Sequence, residues 1–84
     1  MKPSIGSIAI SKSGRIKGFC IIVKVDGNFC YVVDGKTKTQ DKPKKKNIKH
    51  LTITEFKSER VAELILGKMK VGRETIKQTL KSYE

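Results

Sequence analysis

Residues 8–33 decide the fold: Ile8-Ala9-Ile10-Ser11-Lys12-Ser13-Gly14-Arg15-Ile16-Lys17-Gly18-Phe19-Cys20-Ile21-Ile22-Val23-Lys24-Val25-Asp26-Gly27-Asn28-Phe29-Cys30-Tyr31-Val32-Val33. Three apolar, β-favouring runs are punctuated by a basic glycine loop and by Asp26-Gly27-Asn28. From Gly6 to Ser11 the side chains alternate, which predicts a half-buried strand. Phe19 to Val25 and Phe29 to Val33 are rich in β-branched and aromatic residues and predict two more strands. A three-residue turn at 26–28 pairs Val25 with Phe29, Val23 with Tyr31 and Ile21 with Val33. That register keeps all odd positions on one apolar face, whereas a one-residue slip mixes the faces. It also sets Cys30 opposite Lys24. The even face, with Cys20, Ile22, Cys30 and Val32, is apolar too, so this hairpin must be covered on both sides.

Downstream, Asp34-Gly35 marks a turn and 36–39 suits a short strand. A polar, lysine-dense loop spans 40–46, and a last strand spans 47–54. His50-Leu51 interrupts its alternation, which is consistent with a bulge. After Phe56 the period becomes helical. Ser58 caps a first helix, Glu59 favours its positive end, and Val61, Leu64 and Ile65 form its apolar stripe. Gly67 or Gly72 interrupts, and Ile76, Leu80 and Tyr83 make a second one-sided stripe from Glu74 to Tyr83. The expected architecture is mainly β with C-terminal helices. About five strands close as a small SH3-like barrel over 1–56, followed over 57–84 by one or two short α-helices packed on the open hairpin face. With 84 residues the chain makes one domain with one small core.

Charge is the second signal. Nineteen Lys and Arg against eight acids give +11. Up to Leu51 there are 12 basic and 3 acidic residues, a balance of 12 − 3 = +9. Thr52 onward contributes 7 − 5 = +2. A sequence pI near 9.9 with clustered lysine is the electrostatic footprint of a nucleic-acid binder. No apolar run approaches the ~20 residues a membrane span needs. The N-terminal residues lead into no secretory segment, so a cytoplasmic location is expected.

Two basic segments stand out as candidate RNA-binding sites. The first comprises Lys12, Ser13, Gly14, Arg15, Lys17 and Gly18. Its glycines let backbone approach a ligand closely, and Arg15 offers a two-pronged contact to phosphate. Read from its residues alone, this loop is equally a phosphate-binding element or a solvated hairpin loop. The second comprises Lys36, Lys38, Lys42, Lys44, Lys45, Lys46 and Lys49, seven cations in fourteen residues against the single acid Asp41. A charge run is usually a solvated face, but this density exceeds what solubility needs.

Other chemistry is thinly represented. Cys20 and Cys30 with one histidine do not complete a zinc site, and they read as plain buried thiols. His50 has no nucleophile partner in the sequence. Neither paired carboxylates nor a phosphate-cradling loop appears, so neither enzymatic activity nor a cofactor or metal is expected. Phe29, Tyr31 and Phe56 lie on apolar faces and are expected in the core, which favours contact with backbone and shape in folded RNA over base stacking.

Ser7-Ile8-Ala9-Ile10, then Gly14-Arg15-Ile16-Lys17-Gly18 and Phe19-Cys20-Ile21-Ile22-Val23, resemble the KOW motif of ribosomal proteins and transcription elongation factors. Gly18 matches its pivotal glycine. Val32-Val33-Asp34-Gly35-Lys36, the stretch from Lys42-Pro43-Lys44 to Lys49-His50-Leu51, and the helical end widen the likeness to nearly the whole chain. The chain is similar to short KOW-containing proteins related to large-subunit ribosomal proteins of archaea and eukaryotes. The cysteines and Phe19 depart from that pattern. The resemblance implies an SH3-like barrel associated with RNA, usually ribosomal RNA, with Gly14, Arg15, Lys17 and Gly18 in the RNA-facing loop. It leads to the expectation of a monomeric, ribosome-associated RNA-binding protein that also meets ribosomal proteins. The alternatives are a protein-interaction module of the transcription or translation machinery and a small basic DNA-binding barrel.

Overall fold

A computed structural model describes residues 2–12, 18–35 and 42–83. The elements run β1 (Ser7–Ser11), β2 (Gly18–Asp26), β3 (Phe29–Val33), β4 (Lys44–Asn47), a 3-10 turn (Ile48–His50), β5 (Leu51–Lys57), α1 (Glu59–Leu66) and α2 (Arg73–Lys81). The five strands form one antiparallel sheet in the order β4-β3-β2-β1-β5. The edge strands β4 and β5 are separated in sequence only by the 3-10 turn, so the two edges approach each other at that corner. No ladder joins them among the described residues.

The β2–β3 hairpin corrects the expected register near its tip. Asp26 pairs with Phe29, Val25 with Cys30 and Lys24 with Tyr31, so the turn has two residues, Gly27 and Asn28. Gly27 alone takes a positive φ, at 60°. A glycine in the first central position is what a tight hairpin turn matched to strand twist selects. An irregularity between Ile22 and Lys24 then shifts the ladder, and Ile21 meets Val33 as the odd-face pattern predicts. The bulge at Val23 absorbs the one-residue difference.

Two further boundaries differ from expectation. The lysine stretch is not all loop, because Lys44–Asn47 pairs with β3. The segment around His50 is a 3-10 turn capped by the Asn47 side chain, which accepts from Lys49 N–H at 3.0 Å. This turn breaks the alternation at His50-Leu51, and β5 consequently starts at Leu51. The bulge lies further along, between the Ala9–Ile53 and Ser7–Lys57 pairs. There the Thr54 hydroxyl donates to the Ile8 carbonyl and accepts from Phe56 N–H, supplying bonds the ladder omits. The strand expected at 36–39 lies outside the described residues.

Apolar side chains lie on both sheet faces, as the two-sided hairpin requires. On one face Ile8, Ile21, Val23 and Val33 pack with Val61, Val71, Ile76 and Leu80 from the helical segment. On the other Ala9, Cys20, Ile22, Cys30, Val32 and Leu51 pack together, with Ile48 and Ile53 beside them. Gly6 joins sheet and helix. Its N–H donates to Ile22 O at 2.7 Å, and its carbonyl accepts from Ser58 N–H at 2.9 Å. Ser58 then caps α1 by accepting from Val61 N–H, as the sequence predicts. Among the described residues no helix is long and apolar enough to cross a membrane.

α1 ends in a Schellman pattern. Met69 N–H bonds Leu64 O at 2.7 Å, and Lys68 N–H bonds Ile65 O at 3.0 Å. The left-handed position falls on Lys68, with φ 58°, one residue after Gly67. A β-carbon there costs about 1 kcal/mol or a little more. Lys68→Gly is therefore expected to stabilise the fold by about 1 kcal/mol and raise the melting temperature by about 4–8 °C. Thermal unfolding followed by circular dichroism checks this, and an unchanged or lowered midpoint refutes it.

Both cysteines are free and buried. The Cys20 thiol donates to Ala9 O at 3.6 Å. Burial pushes its pKa up to about 12, outweighing the nearby Lys46 charge, which acts in the opposite direction. Burial also raises Cys30. Burial thus favours the protonated, less nucleophilic form of both thiols. Because the folded state holds Cys20 protonated, this group's contribution is complete below its ordinary pKa of 9.0 and declines as pH rises toward about 12. The stability advantage of wild type over Cys20→Ala should narrow across that window in urea titrations. An advantage independent of pH would contradict the assignment.

Candidate nucleic-acid interface

Local structure sorts the lysine run Lys44-Lys45-Lys46 by strand alternation. Lys46 lies opposite Cys30 and is only 8% exposed. The Cys30 row faces the cluster containing Cys20, Ile22 and Val32, so the Lys46 stem is packed away from solvent. Of the five described cations in this segment, Lys46 is thus the one turned inward. Lys45 lies opposite Tyr31 on the other side of β4, and Lys44 lies opposite Val32. Lys42, Lys44, Lys45 and Lys49 are exposed. β4 is an edge strand, and among the described residues its outer side is not paired within the sheet.

Described ends of the two basic segments meet at the 3-10 turn. Lys12 N–H donates to His50 O at 3.2 Å. Ser11 pairs with both Gly18 and Leu51, which brings the start and finish of the first basic loop beside the end of the second. Lys12, Lys49 and His50 are all exposed at this corner. Gly18 has φ 93°, and no atom of the described residues lies within 4 Å of where a β-carbon would stand. The turn's other end is held to the β2–β3 hairpin, where Ile48 N–H donates to Asn28 O at 2.9 Å. Ser13, Gly14, Arg15, Lys17, Lys36 and Lys38 lie outside the described residues.

The aromatic residues correct the sequence reading. Phe29 is 39% exposed and Phe56 49%, so neither is core, and Tyr31 is half-buried. Phe56 rests against Tyr83 with ring centroids 5.2 Å apart. Phe29 and Tyr31 share a face of β3 with two lysines above them. Lys45 Nζ lies 4.6 Å from the Phe29 centroid, and Lys24 Nζ lies 5.4 Å from that of Tyr31. Lys24, Phe29 and Tyr31 are additions to the candidate surface that the sequence argument missed. The reason is the register. With a three-residue turn Lys24 faces Cys30, whereas the actual two-residue turn sets it beside Tyr31.

This arrangement offers exposed cations, a corner of backbone and half-open rings. It suits electrostatic capture of a polyanion and provides no nucleophile–base pair among the described residues. Comparison with protein-family models and with curated protein sequences gives no match.

Proposed function

We propose that this chain is a non-enzymatic RNA-binding module of the KOW kind, built on an SH3-like barrel and associated with the ribosome. The barrel reading is supported by the strand order, a four-strand meander whose fifth strand returns beside β1 after a 3-10 turn. The observation that carries the functional reading is the hydrogen bond from Lys12 N–H to His50 O. It ties the two basic segments to one corner of the sheet. Cations that converge on one surface neutralise several adjacent phosphates together, and this supplies most sequence-independent affinity for nucleic acid. The partner is folded ribosomal RNA, with neighbouring ribosomal proteins as secondary contacts. The free protein is a cytoplasmic monomer.

The test is competition binding with labelled ribosomal RNA fragments, using duplex DNA as competitor, beside affinity capture from nuclease-treated extract. RNA binding that survives excess duplex DNA, with co-purifying proteins lost after nuclease, is the expected result. Capture of one protein that persists after nuclease would instead make this a protein-interaction module. Preference for duplex DNA would make it a DNA-binding barrel.

A further inference from the structure

We infer that the exposed end of the β2–β3–β4 face is a stacking subsite for an unpaired nucleobase, with Phe29 as platform and Lys24 and Lys45 as phosphate contacts. This rests on the RNA-binding reading and goes beyond it, because a surface made only for backbone and shape needs no ring.

The face has three rows. Ile21 and Val33 lie in the first, on the side packed by the helical segment. Lys24, Tyr31 and Lys45 form the second, and Asp26, Phe29 and Asn47 the third. Exposure rises along β3 from buried Val33 through half-buried Tyr31 to Phe29. The apolar face therefore extends beyond what the helices cover, and its uncovered end carries an aromatic ring flanked by cations. Solubility alone would favour a polar residue at the Phe29 position, opposite Asp26 and Asn47.

Charge complementarity selects the occupant. Each ring carries a lysine ammonium near its face, and among the described residues neither Lys24 nor Lys45 makes an ion pair. A base laid on Phe29 displaces the Lys45 ammonium, which then reaches the phosphate attached to that base. Base–aromatic stacking is worth more than an exposed lysine–ring contact, so the exchange favours the nucleotide. Asp26 repels phosphate at the hairpin tip and directs the sugar–phosphate chain toward the lysine row. Any base has a ring face to offer, so the subsite accepts unpaired nucleotides with little sequence preference. A base held in a duplex cannot present that face.

The experiment compares wild type with Phe29→Leu on two probes, single-stranded oligouridylate and a blunt RNA duplex of equal charge. Leucine keeps the apolar bulk at a surface position and removes the ring, and melting curves check that the variant folds. The expected result is an affinity for oligouridylate lowered roughly tenfold, with the duplex affinity and the salt dependence unchanged. A photoactivatable uridine in the single strand should crosslink to Phe29 or Tyr31. Equal losses on both probes, or none on either, overturn the subsite while leaving RNA binding standing. Absence of salt-dependent binding by wild type to any RNA overturns the underlying reading as well.

Discussion

Gly6→Ala is expected to destabilise the protein by about 2–5 kcal/mol, a large effect for a single methyl group. Two costs add. Gly6 has φ 92°, a conformation that costs an L-residue about 1–2 kcal/mol. A β-carbon built there would also lie 2.8 Å from Ala62 Cβ, 2.8 Å from the Ser58 carbonyl oxygen and 3.3 Å from Ala62 N. These are backbone and first-turn atoms of α1, so no flexible side chain can swing away. The helix must shift, loosening Val61 from Ile8 and its neighbours and stretching the Ser58 N–H bond to Gly6 O. Overpacking of this kind costs about 1–3 kcal/mol. Gly18 supplies the control, because its φ of 93° is nearly identical while no atom of the described residues crowds its β-carbon position. Gly18→Ala should cost only the backbone share, about 1–2 kcal/mol. Urea titration of both variants measures the difference. Equal losses would mean that α1 is not seated on Gly6.

Legibility followed the range of the physics involved. Ser58 as cap, the Ile76-Leu80-Tyr83 stripe and the two-sided hairpin depend on neighbours a few residues apart, and they were readable from spacing. Face continuity favours a three-residue turn, and it is kept at Ile21–Val33 while the tip pairs one residue differently. A bulge at Val23 satisfies the same face requirement with a shorter turn. Two solutions of equal hydrophobic merit differ only in local backbone geometry, which pattern counting does not weigh. The 3-10 turn was visible only as a broken period at His50-Leu51. Its cause, the Asn47 side chain bonded to Lys49 N–H, is a short polar contact that a bulge mimics in sequence.

For the candidate site, composition located the cations but could not orient them. Lys44, Lys45 and Lys46 are alike in a charge count. Pairing of β4 with β3 makes them unlike, one over an aromatic face and one packed beside Cys30. The same pairing exposes Phe29. An aromatic residue in an apolar run reads as core unless one knows where the covering helix stops.

Salt dependence provides the largest functional effect expected. If six cations release counterions from RNA, affinity should fall by roughly 10³ between about 50 and 200 mM salt. The slope distinguishes the lysines individually. Exposed Lys44 and Lys45 should each account for about one unit of it, so neutralising both with glutamine should lower the slope by about two and weaken all RNAs alike. Lys46→Met should leave the slope near that of wild type, since Lys46 is only 8% exposed opposite Cys30 and methionine has similar bulk. Binding isotherms across a salt series on one RNA measure all three proteins. Lysines of one run would then differ because Lys46 is buried while Lys44 and Lys45 are exposed. An equal slope change per lysine for the Lys44/Lys45 pair and for Lys46 would show that charge density governs binding whatever the orientation, and a flat slope in wild type would remove counterion release as the source of affinity.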